Sequence, residues 1–83
     1  MQSLKILTYN LEFGGRNQLE AIYEVLAHVN ADVIGLTEAD DEEVVQILAQ
    51  RLEMHHIWAR GSGERHIAFL SRYPILEWHI YNK

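Results

Sequence analysis

Residues 31–43, ADVIGLTEADDEE, decide the fold. Asp32-Val33-Ile34-Gly35-Leu36-Thr37 is a short apolar run without polar alternation, the pattern of a strand buried on both faces. It runs directly into Glu38-Ala39-Asp40-Asp41-Glu42-Glu43. Asp40-x-x-Glu43 has the spacing of a capping box, in which a side chain at the helix start accepts from backbone N–H groups that have no partner within the helix. Acids in a first turn also suit the positive end of the helix dipole. Val44, Leu48 and Leu52, backed by Val45 and Ile47, then recur at helical spacing. The stretch is a strand that ends in acids and becomes an amphipathic helix.

The same pattern precedes it. Leu4 to Tyr9 (LKILTY) predicts a strand, and Gly14-Gly15 closes the short segment after it. Asn17-x-x-Glu20 reads as a second capping box, with Leu19, Ile22, Leu26 and Val29 giving a helix over 18–29 that stops at Asn30. A β-α-β-α order predicts neighbouring parallel strands. Downstream, His55 to Arg60 and His66 to Ser71 read as strands around a Gly61-Ser62-Gly63 turn. Arg72-Tyr73-Pro74 turns the chain again, and Ile75 to Tyr81 alternates strictly as a further strand. Three strands in series predict a meander, so the fold class is α/β with a mixed sheet, in the order β-α-β-α-β-β-β.

Composition narrows the rest. The 83 residues allow one small domain over 1–83, and 48% hydrophobic content with 23% charge argues against disorder. No apolar run approaches the roughly 20 residues of a membrane-spanning helix. The start lacks a basic segment followed by an apolar one, so no secretory signal is expected. The absence of cysteine excludes disulfides and thiolate metal sites and fits a cytoplasmic setting. Net charge is −5, with −7 in residues 1–54 and +2 in residues 55–83. That balance argues against a dedicated nucleic-acid module, though not against an enzyme that meets phosphate through a cation.

Chemistry is expected at the carboxyl ends of the parallel strands, where open α/β sheets bind ligands. Tyr9-Asn10-Leu11-Glu12 follows the first strand and Thr37-Glu38-Ala39-Asp40 the second. If the strands are neighbours, Asn10 and Glu38 lie side by side, and a carboxylate beside a carboxamide suits a hard cation such as Mg²⁺. Structural readings stand beside this one. Asn10 could simply start a turn, Glu12 could be a solvated loop acid, and Glu38 could belong to a helix-capping acidic run. His55 and His56 are adjacent on a strand and point to opposite faces, which makes them poor co-ligands.

LKILTYNLEFGG, ADVIGLTEAD and HIAFLSRYPI together resemble the first motifs of the endonuclease/exonuclease/phosphatase superfamily, whose fold is DNase I-like. Those motifs are a strand ending in Asn, a strand ending in Glu, and a later strand followed by Ser-Arg-x-Pro. The resemblance implies that Glu38 binds the catalytic Mg²⁺ or Mn²⁺ and that Asn10 supports the metal and phosphate site. It places Glu12 near the metal as a further acidic ligand, and it gives Ser71-Arg72-Tyr73-Pro74 a structural role. The implied fold is half of a four-layer sandwich, with both helices on one sheet face. The implied reaction is divalent-metal-dependent hydrolysis of phosphate mono- or diesters.

The departures from the family pattern shape the expectation. Members continue with an Asp-x-Asn motif and a late Asp-His pair, and no aspartate follows Asp41 here. The chain is therefore expected to be an N-terminal fragment of such a domain, inactive alone and binding metal weakly or not at all. The alternative is a non-catalytic structural or self-associating module; a metal-independent nucleic-acid binder ranks third at net −5. The sheet face that the family covers with its second half is expected to be apolar and open, which predicts a homodimer joined sheet against sheet.

Overall fold

A computed structural model describes residues 3–12, 14–60 and 66–75. Strand β1 (Ile6–Asn10) leads through a 3₁₀ turn (Arg16–Gln18) to helix α1 (Leu19–Val29). Strand β2 (Val33–Thr37), helix α2 (Glu42–Leu52), strand β3 (His55–Arg60) and strand β4 (His66–Ser71) complete the order. β1 and β2 pair in parallel, as the β-α-β order requires, with Asn10 opposite Thr37. β4 pairs antiparallel with both β2 and β3, so the sheet order is β1-β2-β4-β3. The expected meander step from β3 to β4 is present, and β4 lies inside the sheet while β3 takes the edge. The residue types explain the order: Ala68 and Leu70 of β4 are fully buried, whereas β3 carries exposed His55, His56 and Arg60. The further strand expected over 75–81 lies, from residue 76 onward, outside the described residues, as does the 61–63 turn.

Helix starts depart from expectation. Asn17 does not cap α1; Gln18 holds that position without a side-chain cap, and the chain enters through the 3₁₀ turn closed by Gln18 N–H to Gly15 C=O at 3.1 Å. Gly15 has φ +75°, where a side chain is strained, and a Cβ there would also push on Ile22 Cδ1 at 2.7 Å, so glycine suits the entry. For α2 the cap is Asp41, one residue later than the spacing suggests, accepting from Glu43 N–H at 3.1 Å. Asn30 ends α1 in the left-handed conformation, as expected.

Both helices pack on one sheet face. Ile34 and Leu36 of β2 and Ala68 and Leu70 of β4 meet Ile22 and Leu26 of α1 and Val44, Val45, Leu48 and Ala49 of α2 in one core. Burying each large aliphatic side chain there contributes about 1.5–3 kcal/mol. Arg51 ties the helices externally, reaching Glu20 through both terminal nitrogens at 2.9 and 3.2 Å and stacking on Tyr23. The other sheet face has no helix among the described residues. β2 is therefore not buried on both sides: Val33 and Gly35 are half-covered, with the Phe69 ring lying beside Gly35. No helix among the described residues is long and apolar enough to cross a membrane.

Candidate functional site

The parallel register brings the carboxyl ends of β1 and β2 together, and hydrogen bonds extend the pairing into the loops. Leu11 N–H donates to Thr37 C=O at 3.0 Å and Gly14 N–H to Glu38 C=O at 3.1 Å. At this edge the Asn10 carboxamide joins two residues. Its Nδ2 donates to Glu38 Oε2 at 2.7 Å, and its Oδ1 accepts from Glu12 N–H at 2.7 Å. Asn10 is thus both the turn-former and the partner of Glu38; the two readings of the residue are compatible. Glu38 is not part of the helix cap, which Asp41 provides.

Of the four non-glycine residues with positive φ, Asn30 and Glu53 close the two helices, and the other two are these same acids. Glu12 and Glu38 both have φ 52°, in the left-handed region. A side chain there costs roughly 1–2 kcal/mol through the clash of Cβ with the following carbonyl. Two left-handed glutamates at the ends of adjacent strands are unusual backbone states at the place where an α/β sheet binds ligands. A cleft of about 130 Å³ opens on the β1 side, lined by Tyr9, Asn10, Leu11, Glu12, Gln18 and Ile22.

The donor set fits a hard cation. Glu38 offers carboxylate oxygens, and the neutral Asn10 amide orients one of them without cancelling its charge. Glu12 is joined to the same amide through its backbone N–H. Mg²⁺ is commonly held by one or two protein carboxylates and retains several waters. Among the described residues no three His, Cys, Asp or Glu side chains gather around one point, so any cation here would keep a largely aqueous shell.

Asp40, His66 and Trp58 form a second group on the α2 side of Glu38 that the sequence did not reveal. Asp40 Oδ1 lies 3.3 Å from both His66 N and His66 Nδ1, and the His66 ring stacks on Trp58 with centroids 4.7 Å apart. In the sequence Asp40 is one acid in a run, and nothing local connects it to a histidine 26 residues away. His55 and His56 sit at the far end of β3, opposite Ser71 and Leu70, away from the Asn10–Glu38 edge. Arg72 also lies at that far end. It donates to the Ala31 and Asn30 carbonyls at 3.2 and 3.0 Å and to Asn30 Oδ1, tying β4 to the turn before β2. This is the structural role expected for the Ser71–Pro74 segment.

Arg16 lines a neighbouring cleft with Glu12 and Gln18, and acids hold it. Its Nε meets Asp41 Oδ2 at 2.6 Å and its Nη2 meets Glu43 Oε1 at 2.7 Å. The hydrogen bond to Asp41, then that to Glu43, raises the guanidinium pKa further above its usual value. The reciprocal bond from Arg16 holds the Asp41 carboxyl below its ordinary 3.8.

A sequence model of the Endonuclease/Exonuclease/phosphatase family matches residues 7–82. No curated protein matches the chain. Among solved structures, an AP endonuclease from Archaeoglobus fulgidus superposes with a TM-score of 0.66 at 21% sequence identity. The match covers 84% of this chain and 28% of that one, so this chain spans little more than a quarter of that enzyme's length. At that identity the likeness establishes the fold: a part of the DNase I-like architecture.

Proposed function

The chain belongs to the endonuclease/exonuclease/phosphatase family, and on that premise we propose that it supplies the cation-holding corner of a divalent-metal-dependent phosphoesterase acting on phosphate mono- or diesters. The observation that carries this reading is the Asn10–Glu38 hydrogen bond at adjoining strand ends, with Glu38 in a left-handed backbone. Glu38 would hold Mg²⁺ or Mn²⁺, Asn10 would hold the carboxylate in place, and Glu12 would add a second oxygen ligand. When bound, such a cation polarises a phosphoryl oxygen and stabilises the leaving oxygen. The second lone pair of the Asn10 carbonyl and the polar cleft beside it are suited to orienting the ester. A nucleic-acid backbone is one member of this substrate class.

No aspartate follows Asp41 within these 83 residues, so they hold no counterpart of the Asp-x-Asn and Asp-His groups that activate water in the family. General-base help is worth about 10²–10⁴-fold, and the 83-residue chain alone is accordingly inactive in this account. Calorimetric titration with Mg²⁺ and Mn²⁺ tests the reading: saturable heats in the wild type, absent from Glu38→Gln, are expected. Equal heats in the two proteins, or none in either, would overturn it. Hydrolysis of a simple phosphodiester that disappears with Glu38→Gln would overturn the inactivity. The cysteine-free composition suits the reducing cytoplasm as its setting.

A second reading concerns assembly and rests on the sheet face that carries no helix among the described residues. Ile6 and Phe69 there are 68% and 44% exposed. The Cα extents are 37 × 31 × 17 Å, a two-layer slab. An ellipse of the two longer dimensions covers roughly 900 Å², comparable to the ~800 Å² per partner of a standard interface. We therefore propose a homodimer with the two sheets face to face. Sedimentation equilibrium should show a dimer that Phe69→Lys dissociates; a monomer at all concentrations removes the idea.

A further inference from the structure

The Glu38 turn is held from both sides, and Asn10 accounts for only one of them. The neighbouring Ala39 is completely buried. Ala39 N–H donates to His66 C=O at 3.0 Å, and Ala39 C=O accepts from the Trp58 indole Nε1 at 2.6 Å. One residue on, Asp40 Oδ1 takes His66 N–H at 3.3 Å and lies the same distance from the ring Nδ1. Trp58 and His66 stack at an interplanar angle of 13°, so the two groups that grip residues 39 and 40 also brace each other. The grip comes from β3 and β4, whereas Asn10 approaches from β1.

We propose that Trp58, braced by His66, is a positioning residue for Glu38: its indole fixes the Ala39 peptide, and that fixes the left-handed turn that delivers the Glu38 carboxylate to Asn10. The proposal deepens the metal-site reading and rests on it for its purpose. Its geometric content can be tested without metal. A left-handed glutamate relaxes toward an ordinary backbone state once its flanking peptide is released, because nothing intrinsic to a non-glycine residue favours φ 52°. Relaxation would swing the side chain off the strand edge. Trp58 thus contacts neither cation nor ester and acts indirectly, through Ala39 and Glu38.

Trp58→Phe keeps an aromatic ring at this position and removes the indole donor together with part of the ring's packing, for which a core variant is the control. In the metal-free chain, ¹H–¹⁵N spectra of this variant should show displaced Asn10 side-chain amide and Glu38 backbone resonances. A core variant chosen for general destabilisation, Leu26→Ala, should leave those signals in place at temperatures where it is folded. Asp40→Ala should reproduce the displacement, while Asp40→Asn, which retains the Oδ1 acceptor, should restore the wild-type positions. In Mn²⁺ titrations read by electron paramagnetic resonance, Trp58→Phe should bind about tenfold more weakly, the lower end of what outer partners of metal ligands contribute. Unmoved Asn10 and Glu38 signals in Trp58→Phe, or wild-type Mn²⁺ affinity in that variant, would overturn the proposal. Displaced signals in a chain whose wild type binds no Mn²⁺ would sustain the positioning role and remove the metal reading instead.

Discussion

Replacing Glu38 by glycine and by alanine should reverse the usual order of the two residues. Glycine ordinarily destabilises relative to alanine because its unfolded chain is freer, by about 0.4–1 kcal/mol. At φ 52° the folded state works the other way: alanine keeps the Cβ clash, worth roughly 1–2 kcal/mol, and glycine does not. Both variants lose the Asn10 hydrogen bond equally, so that contribution cancels between them. The remaining difference favours Glu38→Gly over Glu38→Ala by about 0.5–1 kcal/mol. For a domain of this size that is about 2–8 °C in melting temperature. Urea unfolding followed by far-UV circular dichroism measures the pair, with Ala27→Gly in the exposed part of α1 as the control of ordinary sign. A Glu38→Gly chain less stable than Glu38→Ala would refute the claim that Glu38 is held in a strained conformation for the sake of its carboxylate.

Asp41 makes stability depend on acid. Its folded pKa lies below its ordinary 3.8, chiefly through the Arg16 hydrogen bond, so as pH falls the unfolded chain takes up the proton first. The stabilisation is complete above 3.8 and is lost as pH drops through the lower folded value. Asp41→Asn should therefore show a flatter decline in unfolding free energy below pH 3.8 than wild type, with the two curves converging in strong acid. The pair is exposed, so 1 M NaCl should shrink the difference, Debye screening then acting over about 3 Å. In the core, Leu70→Ala should cost about 2–5 kcal/mol, a large share of the roughly 4–12 kcal/mol available to a chain of this length, and leave much of it unfolded at 37 °C. Loss of dispersion in its proton spectrum checks this; a fully dispersed spectrum at that temperature would show that the Leu70 cavity collapses.

Local periodicity carried most of the architecture. β3 and β4 begin and end where alternation and glycine placed them, and α1 and α2 follow their apolar stripes to within a residue or two. The parallel β1–β2 pair came from the intervening helix, and with it the adjacency of Asn10 and Glu38. What local pattern does not encode is which strand sits between which. The insertion of β4 beside β2 depends on Ala68 and Leu70 filling the space under the helices, a tertiary packing choice. The shift of the α2 cap from Asp40 to Asp41 has the same origin. His66, 26 residues downstream, engages Asp40, and the next aspartate turns toward Glu43 N–H instead. Trp58 was equally hidden, since an indole on a half-buried strand reads as core until its bond to Ala39 C=O is seen.

Whether the strand ends carrying Asn10 and Glu38 bind a divalent cation is the central question for this chain. Paramagnetic broadening by Mn²⁺ in the ¹H–¹⁵N spectrum of the whole chain tests it most directly. Broadening should spread from Asn10, Glu12 and Glu38 at submillimolar to millimolar Mn²⁺, be competed by Mg²⁺, and vanish in Glu38→Gln. Broadening centred on the α2 acids Glu42 and Glu43, or a spectrum unchanged at millimolar Mn²⁺, would contradict cation binding at these strand ends.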